Sequence, residues 1–201
     1  MAKSRIIALT LIIAGLAIAL LINHRLSQIP APETTELIDV FAATADTHVA
    51  DTPLLTYLPG QIITTPTDQF YALRTTGPTN APIFNLDVNS QLKIVATDGN
   101  DITVDLITGR LVIDGQVTVV VRNNKIVVDG VVTLVNYSWL NKMDVDVLSG
   151  SANLSNSPYS TTITSGNAIS FDTLTPSPAA PTTFSVDAGS VKAFYDWALG
   201  R

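Results

Sequence analysis

The chain opens on one unbroken apolar run and then changes character. Ile6 to Ile22 are 17 consecutive residues without a charge, and Thr10 is the one polar side chain among them. A soluble helix normally keeps a polar face, and this run has none. At ~1.5 Å per residue it reaches ~26 Å, close to a bilayer core of ~30 Å. The pattern predicts a transmembrane helix, with residues 1–25 as the anchor. A cleaved signal peptide is the rival reading, but its apolar core is usually ~7–15 residues and ends at a small-x-small site. Here the run ends in Leu20, Leu21 and Ile22. Lys3 and Arg5 precede the run and Arg25 follows it, so the positive-inside rule keeps the N-terminus inside. The expectation is a single-pass protein of the cell membrane whose C-terminal domain is periplasmic or extracellular.

Residues 26–52 carry Pro30, Pro32 and many Thr and Ala, the composition of a juxtamembrane linker. Glu36 to Ala45 could form a short helix or a strand against the domain that follows. A flexible linker of this size spans ~30 Å. From residue 53 to 174 the pattern is all β. Apolar and polar positions alternate in Thr103–Leu106, in Val117–Val121 and in Met143–Leu148, the period of a half-buried strand. Asp98-Gly99, Asp114-Gly115, Asn123-Asn124 and Asp129-Gly130 suit tight turns at positive φ. Thr108-Gly109, Ser149-Gly150 and Ser165-Gly166 mark further turns or bulges. These signals predict strands of ~5–7 residues.

Two fragments recur. Val112-Ile113-Asp114-Gly115 returns as Val127-Val128-Asp129-Gly130, and Asp105-Leu106-Ile107-Thr108-Gly109 returns as Asp146-Val147-Leu148-Ser149-Gly150. The fold class predicted is all-β, a twisted β-sandwich or a short β-solenoid. Residues 175–201 read as a Pro-rich spacer followed by a short amphipathic helix over Ser190–Leu199. Its face of Val191, Phe194 and Tyr195 needs a surface to pack on, because ten residues are too few to hold a helix alone in water.

Charge and composition then narrow the chemistry. Beyond residue 25 the chain carries 8 bases against 17 acids, a net charge of −9. That disfavours nucleic acid and anionic lipid as partners of the domain. With no Cys there is no disulfide, thiolate metal site or cysteine nucleophile. His24 and His48 both lie before the β-region, so no base stands there to activate a serine. No GxSxG, P-loop or HExxH motif is present. Asp is plentiful, but Asp98, Asp114 and Asp129 sit at turn signals and Asp105, Asp144 and Asp146 at outward strand positions. A two-carboxylate glycan hydrolase needs two such groups facing across a groove, which these positions do not suggest. Asp98-Gly99-Asn100-Asp101 lacks the spacing of a calcium loop. The expectation is a non-enzyme without cofactor or metal. Tyr137 and Trp139 flank Ser138 between two strands. Such a pair more commonly closes the end of a β-core; exposed, it would mark a partner-binding surface.

The order of motifs over residues 84–171 resembles the FecR domain family of envelope proteins. The pieces are Leu86–Leu92 (LDVNSQL), Val104–Arg110 (VDLITGR), Ile126–Val132 (IVVDGVV), Val145–Ser151 (VDVLSGS) and Ile163–Ile169 (ITSGNAI). Regulators of that family sense a transport event in the envelope and control a sigma factor through a cytoplasmic domain. About five residues before the apolar run are too few for such a domain, so the resemblance implies the extracytoplasmic β-domain alone. It implies no catalytic residues, and a partner that is an envelope protein or a cell-wall component. The other class kept open is a structural surface or particle protein that self-associates through its β-domain.

Overall fold

A computed structural model describes residues 38–43, 55–75, 81–98, 101–156, 159–174, 180–184 and 192–200. The chain divides into two units, 1–34 and 35–201, and all described residues belong to the second. The apolar run 6–22, His24, His48, the Gly99-Asn100 pair and Ser190 lie outside the described residues. Among the described residues no helix is long and apolar enough to cross a membrane.

The described residues form twelve strands and one short helix. The strands are β1 (Ile38–Ala43), β2 (Leu55–Tyr57), β3 (Ile62–Thr64), β4 (Phe70–Thr75), β5 (Ile83–Leu86), β6 (Gln91–Asp98), β7 (Asp101–Val121), β8 (Asn124–Tyr137), β9 (Lys142–Asn156), β10 (Tyr159–Thr164), β11 (Asn167–Asp172) and β12 (Thr182–Thr183). A 3-10 turn, Ser138–Leu140, links β8 to β9. The helix α1 is Lys192–Ala198. The main path through the sheet runs β12-β11-β9-β8-β7-β5-β4-β1-β2, with β10 added to β9 and β3-β6 added to β7. Every pairing is antiparallel. A stack of repeating parallel coils is therefore not the architecture, which corrects the solenoid alternative.

Strand length departs most from expectation. β7, β8 and β9 run for 21, 14 and 15 residues. The reason is that Asp114-Gly115 and Asp129-Gly130 are not turns. Gly115 pairs with Gly130, and Gly130 pairs with Gly150, so three glycines stand in register across three neighbouring strands. Their φ angles are 129°, 124° and 78°, a region that side chains rarely tolerate. A Cβ on Gly115 would lie 2.9 Å from Pro82 Cα, one on Gly130 would collide with the Ser149 carbonyl oxygen, and one on Gly150 with the Asp129 carbonyl oxygen. The glycine row is a crease. Beyond it the strands fold back over their own first halves. Arg122, at the far tip of the β7–β8 hairpin, therefore donates to Asn141 Oδ1 at 2.7 Å, and Asn124 donates to the Thr173 carbonyl at 3.0 Å.

The recurring DLITG and DVLSG fragments form one device used twice. Thr108 pairs with Gln91 and Leu106 with Leu92, leaving Ile107 as an extra residue. Ser149 pairs with Val131 and Val147 with Val132, leaving Leu148 as an extra residue. Each bulge shifts the inward phase by one. On β7 the buried set changes from Ile102, Val104 and Leu106 to Leu111, Ile113, Val117, Val119 and Val121; on β9 it changes from Met143, Val145 and Val147 to Ala152 and Leu154. Without the bulges each strand would turn its apolar set to solvent past that point. All of these side chains share one core with Phe84, Leu86 and Ile38.

One boundary moves. β1 lies inside the predicted 26–52 linker, yet it pairs with both β2 and β4 and buries Ile38 fully. The domain thus includes residue 38 rather than starting at 53. The short helix is placed as expected, against the outer face of the sheet, where Phe194 and Tyr195 are buried.

The crease gives a quantitative expectation. Gly130→Ala should lower unfolding stability by about 3 kcal/mol, from positive-φ strain and the carbonyl clash together. Gly166→Ala, at φ 77° with nothing near its missing side chain, should cost about 1 kcal/mol. Urea unfolding of the two variants measures the difference; equal costs would remove the crease from the account.

Candidate functional site

Two features of the described surface stand out chemically. One is an exposed apolar tip; the other is a half-buried cluster of charge beneath α1.

The tip is assembled by polar ties around Asn141. This residue takes the left-handed conformation, φ 52°, where the 3-10 turn hands over to β9. Its carbonyl accepts from Thr173 N at 2.7 Å and Thr173 Oγ1 at 3.2 Å, and its side chain accepts from Arg122. Asn124 is buried and tied in turn to Val121, Thr173 and Asn156. Three loops distant in sequence are thereby locked together. Arg122 sits at φ 55°, an uncommon backbone for arginine, and its bond to Asn141 is part of what holds it there. The hairpin turn itself is Arg122-Asn123 rather than Asn123-Asn124, because Val121 pairs with Asn124.

On this frame Trp139 is 78% exposed, Leu140 50% and Leu174 57%. Tyr137 is half-buried at the end of β8, with Lys142 Nζ 5.5 Å from its ring centre. The expectation that both rings close the core is thus corrected for Trp139. The reason is local: the 3-10 turn follows β8 with no buried residue of its own, so the core ends before the indole. Sequence reasoning misses Leu140, Leu174 and Arg122. Leu140 adjoins Trp139, Leu174 comes beside it through the β9–β11 ladder, where Asp172 pairs with Lys142, and Arg122 joins through the fold-back at the crease.

The second feature lies on the outer face of the sheet. Asn85, Val112, Thr133 and Asp146 are successive cross-strand partners on β5, β7, β8 and β9. α1 lies against this row. Asn85 Nδ2 donates to the Ala198 carbonyl at 3.1 Å, satisfying a carbonyl in the helix's last turn. Phe70 meets Phe194 edge-on at 5.4 Å, and Trp197 completes the aromatic group at 5.0 Å from Phe70. The Tyr195 hydroxyl faces Thr133, and Arg110 lies 6.0 Å from the Tyr195 ring centre. Arg110 Nη1 binds Asp87 Oδ2 at 2.6 Å.

The electrostatics of this row differ from the solvated face expected for Asp105, Asp144 and Asp146. Burial, then the neighbouring Asp144 charge, push the Asp146 carboxyl up to about 6, against the pull of Arg110 and Lys142. Burial also raises Asp87, opposed by the Val88 N–H and Arg110. Burial raises Asp105, opposed by Lys93. The pattern in the sequence shows alternation, not what covers the outer face, so this cluster was not legible there. Among the described residues no group of His, Cys, Asp or Glu is arranged to hold a metal ion.

No family model matches the chain, and no curated protein matches it. Solved structures do. Two crystal structures of a protein from Parabacteroides distasonis, described as a "putative anti-sigma factor" and determined at 1.65 and 2.50 Å, each superpose with a TM-score of 0.50 at 11% identity. Each match covers 61% of this chain and 59% of the other. The chain thus spans about three-fifths of those structures. At this identity the likeness is one of fold: the β-domain shares an architecture with those proteins.

Three carboxyls with raised values give a signed prediction. An acid whose folded value is raised binds its proton more tightly in the folded state. Its contribution is complete below the unfolded value and is lost as pH rises through the folded one. The midpoint of thermal unfolding should therefore rise on acidification from pH 7.5 to pH 5, by a few degrees. Calorimetry across that range checks it; a midpoint that falls steadily over the interval would contradict the burial of these groups.

Proposed function

We propose that the protein is a non-catalytic, single-pass envelope protein with a FecR-like β-domain, and that this domain binds or senses an extracytoplasmic partner through the tip that carries Tyr137 and Trp139. The carrying observation is the exposure of Trp139, Leu140 and Leu174 together on loops locked by Asn141. A large indole on a rigid frame loses little entropy on binding, and tryptophan is enriched among the residues that dominate interface energetics. The likeness in fold to structures described as anti-sigma factors supports a regulatory rather than catalytic role, and the FecR resemblance of residues 84–171 agrees with it.

The position of the tip supports the same reading. The chain enters the sheet at Ile38, opposite Thr75. The row Arg74, Ile83, Asp114 and Val131 marks that end of the layer, next to the crease. Trp139 follows the opposite end of β8. The tip therefore stands at the end of that layer away from Ile38, where we place a partner in the envelope or the cell wall.

Replacing Trp139 by Ala separates contact from structure. At 78% exposure the change should alter stability by less than about 0.5 kcal/mol. Cross-linking in intact envelopes should lose its partner adduct, while Val95→Ala, at another exposed apolar site, keeps it. An adduct that survives Trp139→Ala would move the contact elsewhere, and one whose mass is a second copy of this chain would favour the self-associating surface protein. Protease added to spheroplasts should cut the β-domain; a protected domain would reverse the proposed orientation.

A further inference from the structure

We propose that α1 is a releasable latch on the outer face of the β-domain, and that the charge state of the carboxylates beneath it sets how firmly it is seated. The first support is the separateness of its contacts. α1 packs on Phe70 and Val112, with Val88 and Val131 at the margin, and this cluster shares no residue with the main core. It can therefore leave without opening the core. A helix of seven residues does not persist alone in water, so leaving the seat and unwinding are one event.

The second support is what the seat contains. An apolar strip alone would hold the helix equally at any pH. Here the row under α1 continues from Val112 through Thr133 to Asp146, and Tyr195 is buried against its polar half. The groups facing Asp146 are Arg110 on β7, Lys142 and Asp144 on β9 and Tyr195 on α1, while Asp87 in the β5–β6 connection faces Arg110 and Tyr195. Its cross-strand neighbours Thr133 on β8 and Ala168 on β11 are uncharged. On the helix itself Lys192 and Asp196 close on each other. Arg110 is already committed to Asp87, so three carboxylates share one guanidinium and one ammonium, and Lys142 pairs with Asp144 at 3.2 Å. Asp146 is the member left without an ion pair of its own among the described residues.

The direction follows. Seated, α1 helps to exclude water from Asp146, whose carboxyl stands at about 6 with burial as the first cause. Released, the carboxyl regains water and moves back toward the ordinary range. The seated form therefore holds the proton more tightly, and acidification seats the helix. Above neutral pH the carboxylate is charged in both forms and the seat is weaker. Release uncovers Phe70, Val112 and Val131, an apolar strip distinct from the Trp139 tip.

Hydrogen exchange on the full chain in mild detergent reads the latch directly. The amides of Phe194 to Leu199, corrected for intrinsic rates, should be protected about fivefold more at pH 5 than at pH 7.5. A tenfold difference in proton affinity between the seated and released forms, for a carboxyl at about 6 when seated, has shifted the seating equilibrium about fivefold by pH 5, and release relieves only part of the burial. At both pH values Val132 to Leu134 on β8 should stay protected at least about tenfold more than α1, because they open only with the main core. Asp146→Asn should show the higher protection at both pH values. Asp144→Asn removes the neighbouring charge and should move the midpoint to lower pH. No pH dependence at α1, dependence that persists in Asp146→Asn, or protection at α1 equal to that at β8 would each overturn the latch. If Asp146→Asn fails to fold, the wild-type profile and the Asp144→Asn midpoint carry the same test.

Discussion

The fold rests on a steric constraint: three backbones must come together where no side chain fits. Gly115, Gly130 and Gly150 meet in register across β7, β8 and β9, each at positive φ. A β-carbon at the second or third would enter a neighbouring carbonyl. Because all three strands can bend there, one antiparallel sheet supplies both walls of its own core. The hairpin tip returns to Asn141 and Thr173, and that return braces the exposed apolar tip. Neighbouring chain segments provide the rest of the closure: Pro82 lies against Gly115, and Ser90 against Gly109.

A bend alone leaves the inward face of a strand unchanged: β8 buries Ile126 and Val128 before Gly130 and Val132 and Leu134 after it, in one phase. The DLITG and DVLSG bulges do reverse the phase, by adding one residue each, Ile107 and Leu148. The resemblance between the two fragments is thus a shared mechanical requirement. Each has an inward apolar residue, an extra residue, a Thr or Ser, and a glycine at positive φ.

That requirement explains what was legible in the sequence. The β class was, because Val, Ile and Thr alternate with polar residues over most of the domain and Gly marks changes of direction. So was the docked terminal helix, since Phe194 and Tyr195 need a surface. The strand lengths were not. Asp-Gly signals positive φ, and positive φ serves a hairpin and a crease equally well. Only the register between strands, which is not a local property, tells them apart. β1 is ambiguous in the sequence because IDVFAA is short and stands apart from the other strands. Of the binding candidates, Trp139 was visible as a residue type but not as an exposed one. Its exposure depends on where the core stops.

The two surfaces differ in how they are held. The tip is fixed by hydrogen bonds to buried or half-buried side chains, Asn124, Asn141 and Thr173, and these lie at the margin of the main core. α1 is fixed by a few aromatic contacts and one bond from Asn85, outside that core. Free energies of local opening scale with such contact density, so the tip is the rigid element and α1 the loose one. A rigid apolar tip suits recognition, because little order is lost on binding. A loose helix seated over half-buried carboxylates suits response, because a small change in charge alters a small holding energy. The sequence separates the two roles cleanly: polar Asn and Thr residues anchor the tip, whereas Asp87, Arg110, Asp146 and Tyr195 converge under the helix, half-buried or buried beneath it.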